Sequence, residues 1–164
     1  MVTTPTIALR DGVPELLKTA HEHAIPFHIF SAGIYDIIHA YLSHLDLHKY
    51  GAHVVSNIMV FDPETHRLTG FEGSLIHTFN KNGSALRGSP GWSRIENRKS
   101  VILLGDSLTD VNMISGLDAD VVLNIAFLND RIAERLPEFE KAYDVVLLND
   151  APCTFVLELL GLAL

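Results

Sequence analysis

Cysteine is nearly absent from this chain: Cys153 is the one thiol in 164 residues. A lone thiol cannot close an internal disulfide, which excludes a disulfide-stapled scaffold and points to a reduced, cytoplasmic setting. Long apolar runs are missing as well. The stretch 155–164 is interrupted by Glu158 and falls far short of the roughly 20 residues that a bilayer-crossing helix needs. Arg10 and Asp11 arrive before any apolar run, so no secretory signal is expected. Positive charge is scarce, with 12 Lys and Arg against 20 Asp and Glu for a net −8 at pH 7. That balance argues against a groove for polymeric nucleic acid or an anionic membrane surface. No repeat, low-complexity tract or Pro/Ser-rich linker marks a boundary, so 1–164 reads as one domain.

What is present is a globular mixture, 48% hydrophobic and 20% charged, which excludes a disordered or collagen-like chain. Strand-like and helix-like segments alternate. Val13, Leu16, Leu17 and Ala20 predict a helix over 11–24, which Pro26 stops. A short buried strand over 27–30 leads into a turn at Ser31-Ala32-Gly33, and a helix over 34–47 follows. Residues 54–61 read as a strand, with a turn at Asp62-Pro63-Glu64-Thr65 and a return strand over 67–71. The polar stretch 84–99 reads as loop plus helix. Val101-Ile102-Leu103-Leu104 is a fully apolar strand, followed by a helix, a strand (120–125), a helix (129–142), a strand (145–148) and a helix (154–162). Such alternation predicts an α/β fold with a doubly wound parallel sheet.

In sheets of this kind the chemistry lies at the carboxyl ends of the strands. One such end is Phe30-Ser31-Ala32-Gly33, a hydroxyl with successive backbone N–H groups at a helix start. It reads either as an oxyanion cradle or as an ordinary N-cap. Another is Gly105-Asp106-Ser107-Leu108-Thr109-Asp110. Its two carboxylates, four residues apart across a turn, converge at a cost that a cation offsets, and oxygen ligands suit Mg²⁺. The alternative is that Asp106 caps the helix and Asp110 decorates its first turn. Lys81, in Asn80-Lys81-Asn82-Gly83, is either a solvated charge or the cation that neutralises a phosphate. Gly105-Asp106-Ser107-Leu108 also spells the GDSL esterase signature. That chemistry needs a His after the Ser, and all nine His lie between His21 and His77, so an esterase is rejected.

The order Ser31-Ala32-Gly33, Lys81, Gly105-Asp106-Ser107-x-x-Asp110 resembles motifs II, III and IV of the haloacid dehalogenase superfamily of phosphohydrolases. Leu9-Arg10-Asp11-Gly12, Ile29-Phe30-Ser31-Ala32-Gly33-Ile34, Val54-Val55-Ser56-Asn57, Phe71-Glu72-Gly73, Ile76-His77, Phe79-Asn80-Lys81 and Phe127-Leu128-Asn129-Asp130-Arg131 resemble its cytosolic pyrimidine 5′-nucleotidase (type III) family. The resemblance runs from about Leu9 to about Leu148. It implies Mg²⁺-dependent hydrolysis of nucleoside 5′-monophosphates, with pyrimidines favoured. It further implies that Ser31 and the Ala32 N–H hold phosphate oxygens, that Lys81 neutralises phosphate and nucleophile, and that Asp106 ligates Mg²⁺ with Asp110 in support. Phosphoryl transfer rests mainly on positioning and charge neutralisation, so these residue types suit the task. Thr109 stands where many members have Gly.

The departure is at the front. The superfamily's nucleophile and acid/base lie in Asp-x-Asp-x-Thr at the end of a first core strand, with a helical cap inserted before motif II. Here the segment before Asp11 contains no Asp. Asp62-Pro63-Glu64-Thr65 imitates the motif but follows motif II as part of a hairpin, and Asp118-Ala119-Asp120 lacks an apolar strand before it. The chain therefore resembles the C-terminal half of the family, a partial core domain over 1–164 without the first strand and cap. In the superfamily that strand lies between the motif II and motif IV strands. Its absence predicts two unpaired edges, a marginally stable chain and self-association, unless 6–10 or a partner segment fills the slot. The alternative function is a catalytically dead paralogue acting as a phosphate-binding or interaction module, and a third is a phosphatase for another phosphomonoester. His44 and His48, four apart on the predicted helix, read as a solvated face rather than a metal clamp. Trp92 covers a base or docks on the core, and Cys153 packs at the start of the last helix.

Overall fold

The computed structural model describes residues 8–89 and 91–164. Helix α1 (Val13–Glu22) buries Leu16, Leu17 and Ala20 and carries its proline in the first turn, where a missing N–H costs nothing. β1 (His28–Ile34), α2 (Tyr35–His44), a 3-10 turn (His48–Tyr50) and β2 (His53–Asn57) follow. Next come β3 (Met59–Phe61), β4 (Leu68–Phe71) and the short helices α3 (Gly83–Arg87) and α4 (Trp92–Ile95). β5 (Ser100–Gly105), a 3-10 segment (Asp110–Ile114), β6 (Val121–Leu128), α5 (Ile132–Ala142), β7 (Val145–Leu148) and α6 (Thr154–Ala163) complete the chain.

The strands are parallel where an α/β fold requires it. β5, β6 and β7 form one parallel sheet, β1 pairs parallel with β2, and β3 with β4 makes the expected antiparallel hairpin. Successive β6 residues serve opposite faces, as the strand period of two demands. Ile125 and Phe127 pack with Leu16, Val156 and Leu160 under α1 and α6. Ala126 and Leu128 pack with Leu103, Phe139 and Tyr143 under α5. Leu17 joins Leu42 and Leu47 in a further cluster beneath α2.

Among the described residues no ladder joins β1 to β5. Ser100, which extends β5 by one residue, is exposed, and so is Ile102, although 101–104 reads as a buried apolar strand from the sequence. Of the segment 6–10, Thr6 and Ile7 lie outside the described residues. Arg10 is anchored beyond β7, donating to the Ala151 carbonyl at 2.7 Å, pairing with Asp150 at 2.9 Å and lying 4.2 Å over the Phe127 ring.

Several local expectations need correction. Ser31-Ala32-Gly33 is no turn at a helix start; β1 runs extended through Ile34, with a register shift after Phe30. The buried Asn57 side chain causes this, donating to the Ala32 and Gly33 carbonyls at 2.9 and 3.2 Å in place of a regular ladder. The N-cap of α2 is Ile34, without a side-chain cap bond, so Ser31 is not the cap. α2 ends at His44 because Asp46 adopts a left-handed φ of 56°. His44 and His48 thus belong to different elements. The predicted strand 54–61 is two strands, with Ile58 between them accepting from the Glu72 N–H at 2.9 Å. The segment after the 105–109 turn is a 3-10 helix rather than an α-helix.

Candidate active site

The end of β5 and the turn after it converge on one carboxylate. Asp110 is 3% exposed. Its Oδ2 accepts the backbone N–H groups of Asp106 at 3.0 Å and Ser107 at 3.1 Å, and its Oδ1 accepts the Lys81 ammonium at 2.7 Å. A buried charge is tolerable only when paired and hydrogen-bonded in this way. Burial by itself would raise the Asp110 pKa, but the Lys81 hydrogen bond, the Asp106 N–H and the Lys81 charge hold it below the usual carboxylate value. With three donors on two oxygens, Asp110 builds the turn before it does anything else.

Asp106 is placed differently. It is exposed, and its carboxylate meets the Asp110 carboxylate and its own backbone N–H rather than the Lys81 ammonium. Lost solvation pushes its pKa up, and the neighbouring Asp110 charge adds to that, with Lys81 opposing only in part. An accessible carboxylate with surplus negative charge beside it is a fitting ligand for a hard cation. Among the described residues no three His, Cys, Asp or Glu side chains form a cage. That donor set fits Mg²⁺, which keeps several waters and takes one or two carboxylates plus substrate phosphate oxygens.

The loop that delivers Lys81 is held by two asparagines. Asn80 accepts the His77 N–H at 2.7 Å and donates to the Leu75 carbonyl at 2.8 Å. Asn57, 6% exposed, accepts the Ile76 N–H at 2.7 Å and donates to the Ile76 carbonyl at 2.9 Å. Asn57 thus ties the end of β1 to the start of the Lys81 loop. The Lys81 ammonium lies 6.0 Å from the centroid of the Phe30 ring, next to Ser31. The Ser31 hydroxyl accepts the Gly33 N–H at 3.0 Å, and Ala32 is exposed. Lys81, Asp106 and Asp110 are thus brought together. Ser31 and Ala32 stand at the neighbouring strand end and, among the described residues, form no hydrogen bond to that group. An open cavity of about 410 Å³ adjoins Lys81, lined by Thr78, Phe79, Asn82, Thr109, Asn112 and Ser115.

Sequence reasoning missed Tyr143, whose hydroxyl donates to the Ser107 carbonyl at 2.5 Å. Burial, then the charges of Asp110 and Asp106, raise its pKa well above that of an ordinary phenol, so it stays a donor. A phenol just past the end of an amphipathic helix gives no distinctive signal in one sequence. The other residues singled out are structural. Asp62 Oδ1 accepts the N–H groups of Glu64 and Thr65 and the Thr65 hydroxyl, which makes it a turn-builder. Cys153 is 2% exposed in the core, and its N–H donates to the Asp11 carbonyl at 2.7 Å. Trp92 is half-buried with the Arg87 guanidinium 5.7 Å over its ring.

Comparison with known proteins shows the family. The family model described as Pyrimidine 5′-nucleotidase (UMPH-1) matches residues 1–163. The 7-methylguanosine phosphate-specific 5′-nucleotidase of Homo sapiens is 41% identical over 143 residues, 87% of this chain and 47% of the relative. The corresponding nucleotidase B of Xenopus laevis is 39% identical over 151 residues, 92% of this chain and 52% of the relative. The crystal structure of cytosolic 5′-nucleotidase IIIB bound to cytidine superposes with a TM-score of 0.87 at 32% identity, covering 94% of this chain and 52% of that one. The chain spans about half the length of the curated relatives it matches. With the matched family model running over nearly every residue, the chain belongs to the pyrimidine 5′-nucleotidase (UMPH-1) family.

Proposed function

We propose that this chain forms the phosphate- and cation-binding side of a 5′-nucleotidase site, hydrolysing nucleoside 5′-monophosphates to nucleoside and phosphate. The observation that carries the reading is the Lys81–Asp110 pair locking a turn that leaves Asp106 exposed beside it. In this reading Asp106 ligates Mg²⁺ and Asp110 supports it by fixing the turn. Lys81 offsets the charge of the phosphate, while Ser31 and the Ala32 N–H bind its oxygens. Bound Mg²⁺ supplies neutralisation of phosphoryl charge. The Asp-x-Asp-x-Thr nucleophile of the resemblance has no counterpart in the 164 residues, so the chain by itself is a partial domain with weak or no turnover. Cytidine is the nucleoside that CMP hydrolysis releases, and its presence in the similar structure supports a pyrimidine substrate. The names of the sequence relatives support 7-methylguanosine monophosphate. The word cytosolic in the structural relative's name supports a cytoplasmic location, and the edges of β1 and β5, which no ladder joins among the described residues, support self-association.

The test is phosphate release from CMP, UMP and 7-methylguanosine monophosphate, with Mg²⁺ and with EDTA, alongside nucleotide binding by calorimetry. Slow Mg²⁺-dependent release that Asp106→Asn abolishes is the expected result. Mg²⁺-dependent binding without release supports the second reading, an inactive phosphate-binding module, which the missing nucleophile favours. A folded chain that neither binds nor hydrolyses these nucleotides refutes both.

A further inference from the structure

Ser107 is gripped from two sides. Its N–H donates to Asp110 Oδ2 at 3.1 Å, and its carbonyl accepts the Tyr143 hydroxyl at 2.5 Å. Tyr143 follows the last residue of α5, is 5% exposed, and stacks on Phe139 with centroids 5.7 Å apart and planes 13° from parallel. Phe139 is itself fully buried. In a close-packed interior a ring clamped this way has little room to swing. The hydroxyl also passes close to the strand end, where a methyl group at Gly105 would sit 2.5 Å from it. The peptide units that carry Asp106 out of β5 therefore lie between two fixed supports, Asp110 with Lys81 on one side and α5 on the other.

We propose that Tyr143 is a positioning residue for the 106–110 turn, holding the Ser107 carbonyl so that the Asp106 carboxylate stays aimed at its cation. The inference rests on the reading of Asp106 as a Mg²⁺ ligand. Without the hydroxyl the Ser107 carbonyl loses its partner in a half-buried site and turns toward water. The Ser107–Leu108 peptide unit would rotate with it, and through the Ser107 backbone this would loosen the N–H bonds that Ser107 and Asp106 make to Asp110. A phenylalanine at this position keeps the ring stack and the core contacts, so the effect falls on the turn and not on the fold. The effect expected is that of losing an outer partner of a metal ligand, an affinity about 10- to 100-fold weaker.

The experiment is Tyr143→Phe in the 164-residue chain, read in two ways. Amide hydrogen exchange is expected to accelerate about tenfold or more at Asp106 and Ser107, with the β6 amides of Ile125 and Ala126 unchanged. Mg²⁺ titration followed by amide chemical shifts is expected to show about tenfold or greater weakening. Unchanged exchange at Asp106 and Ser107 overturns the proposal, as does equal acceleration throughout β6, which marks a purely structural residue. Unchanged Mg²⁺ affinity in the variant overturns it as well. If the wild-type chain takes up no Mg²⁺, the proposed function fails, and the exchange comparison decides the role of Tyr143 without it.

Discussion

Replacing Lys81 with methionine removes the ammonium from Asp110 while keeping a side chain of similar reach. The pair is well buried, with side-chain exposures of 15% for Lys81 and 4% for Asp110 at a separation of 2.7 Å. Removing one partner of such a pair costs about 3–5 kcal/mol, because it strands a charge in a poorly solvated site. Asp110 keeps its two backbone N–H donors, which places the loss at the lower end, about 3 kcal/mol at neutral pH. For a chain of this size that is a fall in Tm of about 6–12 °C. The pH dependence separates this cause from simple repacking. In the native chain the Asp110 pKa is held below its ordinary value of 3.8. The group therefore contributes stability that is present above 3.8 and lost as the pH falls through its folded value. In Lys81→Met the two lowering causes that Lys81 supplies are gone and the folded pKa moves up, so the gap to wild type is full above the variant's folded pKa and shrinks on acidification through it. Urea unfolding at pH 7.5, 6 and 5 measures it, with the gap between wild type and variant expected to narrow toward pH 5. A variant within about 0.5 kcal/mol of wild type at pH 7.5, or a gap that ignores pH, refutes the reasoning.

Gly105→Ala sets a methyl 2.5 Å from the Tyr143 hydroxyl and 2.7 Å from Asp110 Cβ. The expected cost in thermal unfolding is about 1–3 kcal/mol, and wild-type stability would show that the turn gives way freely. Asn57→Ala strands the Ala32, Gly33 and Ile76 carbonyls and the Ile76 N–H. Denaturant titration should register about 3 kcal/mol or more, and a loss under about 1 kcal/mol would mean that water replaces the asparagine. Phe139→Ala, at a fully buried ring, should lose about 3–5 kcal/mol. Phe79→Ala, at a ring 88% exposed, should stay within about 0.5 kcal/mol; equal losses would invert the assigned core.

The parts of the fold that were legible in the sequence are those with a strong period or a strong breaker. β7 matches its apolar run residue for residue, and α1 follows from Leu16, Leu17 and Ala20 at helical spacing. The hairpin of β3 and β4 was marked by Asp62-Pro63 and the return strand. What was hidden depends on distant side chains. The extended backbone at Ser31-Ala32-Gly33 exists because Asn57, on another strand, supplies donors that local propensity cannot register. The end of α2 turns on the left-handed backbone of Asp46, which an aspartate tolerates but does not announce. At the site, residue types and spacing left Asp106, Asp110 and Lys81 open between functional and structural readings, the family resemblance singled them out, and the structure brings these three together. The division of labour between the two carboxylates was beyond reach, because it is decided by which one the backbone N–H groups of the turn face.

In a continuous parallel sheet, ladder hydrogen bonds act as a ruler, fixing the ends of neighbouring strands at a spacing of about 4.8 Å. Between β1 and β5 that ruler is missing among the described residues. The distance from Ser31 to Asp106 is set instead by α1 reaching across both sheets, and by Lys81 lying between Phe30 and Asp110. Two of the candidate site's corners are thus gauged by side chains rather than by backbone. The span between them responds to whatever binds to or withdraws that one ammonium, whereas the span from Asp106 to Asp110 is locked within a single turn.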